Sequence, residues 1–211
     1  MKKYISQFHY LTQDLPNRTH VEQAQIACQA GANWIQYRCL SKCDEALIAD
    51  INEIAAICDD WGATLILTDH YYLLDQVDAQ GVHIEDPKAD FNAIRTYIGD
   101  DKTLGGSAHA FEDILHICHS AQVDYIGCGP FSITLTKPNN YPILGIDGYK
   151  NILQKMNQQA IDIPILGVGG ITIDDVEALL NIGLYGLAVS SAINTTTHPD
   201  QTLKNFYKMI Y

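Results

Sequence analysis

The chain has 211 residues, 47% of them hydrophobic, and carries 25 acidic residues against 13 Lys and Arg, a formal charge of −12. That length and apolar content can bury a core, and residues 1–211 are read as a single domain. With a sequence pI near 4.8 the chain has no basic field to offer, so nucleic acid and anionic membrane surfaces are excluded as partners, and any anionic ligand needs a local pocket.

No apolar run approaches the roughly 18 to 20 residues of a spanning helix, and the six cysteines contain no Cys-x-x-Cys pair. The expectation is reduced thiols in a cytoplasmic protein. In chain order, the first strand is predicted over 8–12. A helix follows over 21–30, opened by Thr19 with Glu22 three residues on and closed at Gly31. The second strand, 34–38, carries Gln36 and Arg38 at its end. The Arg38 guanidinium can fork onto a phosphoryl group, or serve a structural salt bridge. A helix over 45–61 stops at Gly62. The third strand, 64–68, ends at Thr68 and Asp69, and Asp69 can hold a divalent cation or cap the next helix.

A fourth strand is expected over 81–84 and a fifth over 103–106, followed by Ser107 and His109; a histidine titrates near neutrality and can move a proton. The helix over 111–121 includes His116 and His119, read as surface or packing histidines rather than metal ligands. Strand 125–128 then leads into an irregular stretch, 131–147, that contains Pro138, Asn139, Asn140 and Pro142. Loops of this length inside compact domains are often functional. Thr134, Thr136 and Lys137 lie in it and offer hydroxyls and a positive charge, which water alone could equally satisfy. After a helix over 149–159, strand 163–168 runs into Gly169 and Gly170, and Thr172 with Asp174 and Asp175 opens a helix over 173–182. The eighth strand, 186–189, ends on Ser190 and Ser191, and a last helix covers 201–209.

Short apolar strands alternating with amphipathic helices require a parallel sheet covered by helices. Eight such units in this length fit an α/β chain folded as a single (β/α)8 TIM barrel; an open doubly wound sheet is the alternative. In such a barrel Gly169 and Gly170, with Ser190 and Ser191, fall after strands seven and eight, where this fold holds phosphate. A tight turn and a helix cap would account for the same residues. Pattern alone defines a barrel enzyme for small phosphorylated substrates.

The stretches Tyr10-Leu-Thr, Gln36-Tyr-Arg38, Leu67-Thr-Asp69, Gly81-Val-His-Ile84, Gly106-Ser-Ala-His109, Asp124-Tyr-Ile-Gly-Cys-Gly-Pro130, Thr134-Leu-Thr-Lys137, Val168-Gly-Gly-Ile171 and Val189-Ser-Ser-Ala-Ile193 stand in this order. On them the chain resembles the thiamine-phosphate synthase and thiazole tautomerase superfamily, and the synthase more closely. The resemblance implies a transferase that joins hydroxymethylpyrimidine diphosphate to a thiazole phosphate, pyrophosphate leaving before the thiazole nitrogen attacks a pyrimidine carbocation. It implies that Gln36, Arg38, Ser107 and Lys137 face the diphosphate substrate and that Asp69 holds Mg2+. Thr134, Thr136, Gly170, Ser190 and Ser191 would hold the thiazole phosphate.

Three positions depart from the family pattern: Leu40 replaces a lysine, Thr68 an asparagine, and Lys88 the second metal carboxylate. Lys42 can substitute for the first, and Asp86 or Glu85 for the last if the loop is reshaped. All three changes fall on the diphosphate side. A thiazole tautomerase, with His109 moving the proton and no need of Mg2+, is therefore the second reading. A barrel that binds a thiamine precursor without turnover is the third. The sequence leaves the oligomeric state open, a homo-oligomer included.

Overall fold

Eight short parallel strands pair in chain order and close on themselves: β1 (Phe8–Leu11), β2 (Trp34–Tyr37), β3 (Thr64–Thr68), β4 (Gly81–Ile84), β5 (Thr103–Ala108), β6 (Tyr125–Cys128), β7 (Ile165–Val168) and β8 (Gly186–Val189). Closure is made where Phe8 faces Leu187 and Tyr10 faces Val189. This computed structural model describes residues 3–120, 122–133 and 141–211. The (β/α)8 barrel expected from the sequence is the fold found, and the open sheet is excluded.

The helices are α1 (His20–Gln29), α2 (Asp44–Trp61), α3 (Phe91–Ile98), α4 (Phe111–Ser120), α5 (Gly145–Gln158), α6 (Val176–Asn181), α7 (Ser191–Asn194) and α8 (Pro199–Ile210). Local chemistry sets their ends. Thr19 Oγ1 accepts from the Glu22 amide at 3.1 Å while the Glu22 carboxylate accepts from the Thr19 amide at 2.7 Å, a reciprocal cap that satisfies two orphan donors. Gly62 ends α2 at a φ of 64°, where a side chain would be strained.

Four expectations need correction. The alternation is not strict, because β3 is followed by a single 3-10 turn, Tyr71–Leu73, rather than a helix. Helix α3 was not expected, although Asp90 caps it through the Ala93 amide. The predicted helix 173–182 divides into a 3-10 turn, Ile173–Asp175, and α6. Finally, α5 starts at Gly145, so the irregular stretch ends earlier than 147. The six cysteines are free thiols, and among the described residues no helix is long and apolar enough to cross a membrane.

Apolar residues form two layers. The larger lies between strands and helices, with Phe8, Ile35, Leu65, Val82 and Ile126 meeting helix residues such as Ile51, Ile54, Ile114 and Phe206. The smaller fills the barrel itself, from Trp34, Ile66, Tyr125 and Leu166 with Ile5 below. Alternation along each strand divides the two sets. Gly105 makes the interior possible on one side: a Cβ there would stand 2.2 Å from the ring of Tyr125.

Candidate active site

The C-terminal ends of the strands enclose a cavity of about 120 Å³, reached by Gln36, Arg38, Glu85, Ser107, His109, Gly169, Gly170, Ser190 and Ser191, with His9, His83 and Tyr125 also in its lining. Arg38 follows β2 and is buried. Its Nε donates to Glu85 Oε1 at 2.7 Å and its Nη2 to Glu85 Oε2 at 3.3 Å. The guanidinium is thus held flat against a carboxylate that arrives from beyond β4, while Nη1 has no partner among the described residues. Gln36, also buried, donates through Nε2 to Thr68 Oγ1 at 2.9 Å, which fixes its amide.

Beneath these groups runs a chain of aromatic and imidazole rings. His83 Nε2 lies 2.9 Å from Ser107 Oγ and its Nδ1 3.1 Å from Tyr125 Oη. The His9 ring stacks on Trp34 with centroids 4.3 Å apart and meets the edge of Tyr125 at 4.8 Å. His9 Nε2 is buried without a hydrogen-bond partner among the described residues. Burial, and then the neighbouring His83, hold His9 well below the usual histidine pKa, so it stays neutral. Burial likewise lowers His20.

These two shifts set a pH dependence. The unfolded chain takes up protons on both residues below about pH 6.5, which the folded protein resists, so stability is complete above that value and declines as pH falls toward the folded pKa values. Thermal unfolding is expected at a lower temperature at pH 5.5 than at pH 7.5, with a slope of up to about 1.4 kcal/mol per pH unit for each histidine. His9→Phe is expected to flatten that slope; a slope identical to the parent's would contradict the account.

His109 Nδ1 lies 2.6 Å from the Gly129 carbonyl. A carbonyl can only accept, so Nδ1 carries a proton, and in the neutral tautomer Nε2 is the acceptor. The ring stacks on Tyr141 with centroids 3.5 Å apart. Across the mouth, Gly169 and Gly170 take φ values of 92° and 69°. Main chain packs against both: a Cβ on Gly170 would stand 2.6 Å from the Ile133 carbonyl oxygen, and one on Gly169 2.9 Å from Pro130 Cα. The Phe131 amide donates to Val168 O at 2.9 Å and the Ser132 amide to Gly169 O at 3.0 Å. Ser190 Oγ donates to Gln13 Oε1 at 2.9 Å, and α7 opens at Ser191, where the first amides have no acceptor within their own helix.

Several expected residues lie elsewhere. Asp69 is not among the lining residues; it has a φ of 62°, and its Oδ1 accepts from the Glu85 amide at 2.7 Å. Thr68 is buried as the acceptor of Gln36. Asp86, expected as the substitute metal carboxylate, is exposed and accepts from the Lys88 amide at 2.9 Å. Glu85, and not Asp86, enters the mouth. Lys42, expected to replace the missing lysine, is instead paired with Asp50 at 2.6 Å. Thr134, Thr136 and Lys137 lie outside the described residues. His116 and His119 are exposed on α4. Sequence reasoning passed over His9 and the ring chain, although period-two alternation puts His9 on the inward face of β1 beside Leu11.

A closed barrel whose mouth joins an arginine and polar strand ends to a seat of glycines and serines defines a (β/α)8 enzyme of the phosphate-handling kind. Residues 9–193 match the family model described as thiamine monophosphate synthase. The thiamine-phosphate synthase of Bacteroides fragilis is 36% identical over 196 residues, 92% of this chain and 95% of that protein. That of Flavobacterium johnsoniae is 33% identical over 207 residues, 98% and 97% of the two chains. The thiamine phosphate pyrophosphorylase from Pyrococcus furiosus has the same fold, with a TM-score of 0.81 at 22% identity over 97% of this chain and 95% of that one. The chain belongs to the thiamine monophosphate synthase family.

Proposed function

We propose that this protein, as one barrel domain over 1–211, is a thiamine-phosphate synthase, a transferase coupling hydroxymethylpyrimidine diphosphate to a thiazole phosphate with release of pyrophosphate. The observation that carries the reading is the convergence on one cavity of Arg38, Gln36, Ser107 and His109 with Gly169, Gly170, Ser190 and Ser191, in a chain whose relatives are synthases.

In this reading Arg38 takes the diphosphate oxygens, with Glu85 fixing its plane. The amides at Gly170 and Ser191 take the thiazole phosphate, aligning the two reactants as one encounter. The floor is suited to a cationic intermediate. His9 is held neutral, so no positive charge opposes a pyrimidine carbocation. The His109 ring stands beside the same space. Thr134, Thr136 and Lys137 are assigned to the substrates on the family pattern alone.

Mg2+ fits Asp69. This ion is commonly held by one or two carboxylates together with substrate phosphates, so a single aspartate at a strand end suffices. When bound it would supply positive charge against the departing pyrophosphate. Asp86 is not needed for it. We place the activity in the cytoplasm, with small phosphorylated molecules as partners.

Incubation of the purified protein with both substrates and Mg2+ is expected to yield thiamine phosphate and pyrophosphate in equal amounts. No product at high enzyme concentration would reject the reading.

A further inference from the structure

We propose that Asp14, His20 and Cys39 form a binding site for a thiophilic divalent transition-metal ion such as zinc, on the rim between β1 and β2 and outside the lining of the substrate cavity. The residues come from three segments: the loop after β1, the first residue of α1 and the loop after β2. One ligand atom from each lies within 4.8 Å of the others. Asp14 Oδ1 is 3.4 Å from His20 Nε2 and 3.5 Å from Cys39 Sγ. An ion bound tetrahedrally at about 2.0 to 2.3 Å from N, O and S ligands has edges of about 3.3 to 3.8 Å between them. These two edges are already at that spacing.

The order of contacts separates this cluster from a nucleophile, base and orienting acid. In such a triad the thiol meets the imidazole and the imidazole meets the carboxylate. Here thiol and imidazole both converge on the same carboxylate oxygen, as ligands converge around an ion. The ring is oriented from behind, as in built metal sites: His20 Nδ1 is 2.8 Å from Thr12 Oγ1, and Tyr37 meets the ring edge-on at 5.0 Å. The carboxylate is oriented too, by Ser41 Oγ at 2.5 Å and the Leu40 amide at 3.0 Å.

Donor type and access agree. One thiolate, one imidazole and one carboxylate suit zinc and its neighbours, whereas Mg2+ and Ca2+ prefer oxygen alone. His20 and Cys39 are buried and Asp14 is exposed, so the fourth position opens toward water. When the ion binds, the sulfur–metal bond replaces the sulfur–hydrogen bond of the Cys39 thiol, and the proton leaves to solvent. The inference does not depend on the proposed reaction.

The test uses the full chain, reduced, stripped with chelator and titrated with Co2+ in excess Mg2+. The expected result is a thiolate-to-cobalt charge-transfer band with the strong visible bands of four-coordinate cobalt, saturating at one equivalent and removed by one equivalent of Zn2+. Cys39→Ser is expected to abolish the charge-transfer band, Asp14→Asn to weaken zinc at least tenfold against a fluorescent chelator, and Cys43→Ser to change neither. Absence of the band at saturating Co2+, or its survival in Cys39→Ser, overturns the site. Should Cys39→Ser not fold, Asp14→Asn decides: its side chain is at the surface, and an unchanged zinc affinity also overturns the proposal.

Discussion

Arg38→Ala is expected to lower kcat/KM for the pyrimidine diphosphate by two to three orders of magnitude, equivalent to about 3 to 4 kcal/mol of lost stabilisation where charge develops on the leaving group. Two effects act together. The fork proposed to meet the diphosphate disappears, and Glu85, which now receives Nε at 2.7 Å and Nη2 at 3.3 Å, loses that counter-charge beside an anionic substrate. Arg38→Lys is expected to fall well short of the parent, because an ammonium cannot hold a carboxylate and a phosphate in one plane. The companion variant Glu85→Gln in the Arg38→Ala background removes the repulsion and is expected to recover part of the KM loss but not kcat. Steady-state kinetics of the three variants checks this, and an Arg38→Ala enzyme within threefold of the parent would refute the role given to the guanidinium.

Asp69→Asn is expected to reduce kcat by at least two orders of magnitude while leaving the fold intact. The backbone at Asp69 is left-handed, with a φ of 62°, a conformation Asn tolerates as readily as Asp. The Asn carbonyl oxygen can still accept from the Glu85 amide, as Oδ1 does now at 2.7 Å. Only the charge is removed, so a loss of rate reports the charge rather than the turn. Thermal unfolding is expected to change little, and the Mg2+ concentration giving half-maximal activity to rise steeply. Parent-like turnover in Asp69→Asn would remove Asp69 from the metal reading. Asp69→Ala is less informative, since it breaks the turn as well.

Much of the barrel was legible because its strands are continuous apolar runs with clear punctuation. Strands 64–68, 81–84, 125–128 and 186–189 have the predicted bounds. Helix α3 escaped because its eight residues make barely two turns, and its apolar Phe91, Ile94 and Ile98 are interleaved with polar ones. Its cap, Asp90, and its terminator, Gly99, were the available signals. The start of α5 was misplaced because Gly145 and Gly148 are poor helix formers, and the turn is set by tertiary contacts, the Gly145 amide donating to Phe131 O at 3.1 Å.

In the mouth, strand-end position was enough to bring Gln36, Arg38, Ser107 and His109 together with Gly170 and Ser191. Side-chain partners were not legible in the same way. Arg38 meets Glu85 across 47 positions, and nothing local distinguishes Glu85 from Asp86 beside it. Lys42 reaches Asp50 on α2, a carboxylate that also accepts from Tyr37 Oη at 2.9 Å, so its ammonium is committed to packing. His9 shows a different limit: its place inside the barrel follows from alternation, but its contact with Tyr125 of β6, across the interior, requires the closed sheet.

One wall of the cavity is made by Gly127, Gly129, Gly169 and Gly170. A glycine cannot be trimmed, so mutation has no way to widen the enclosure on that flank. Enlarged heterocycles are admissible where the boundary still carries removable carbon, as at Leu11, Leu166 or Val189. Substrate range in this protein therefore evolves in one direction across the mouth, and engineered acceptance of bulkier analogues has its starting points in β1, β7 and β8.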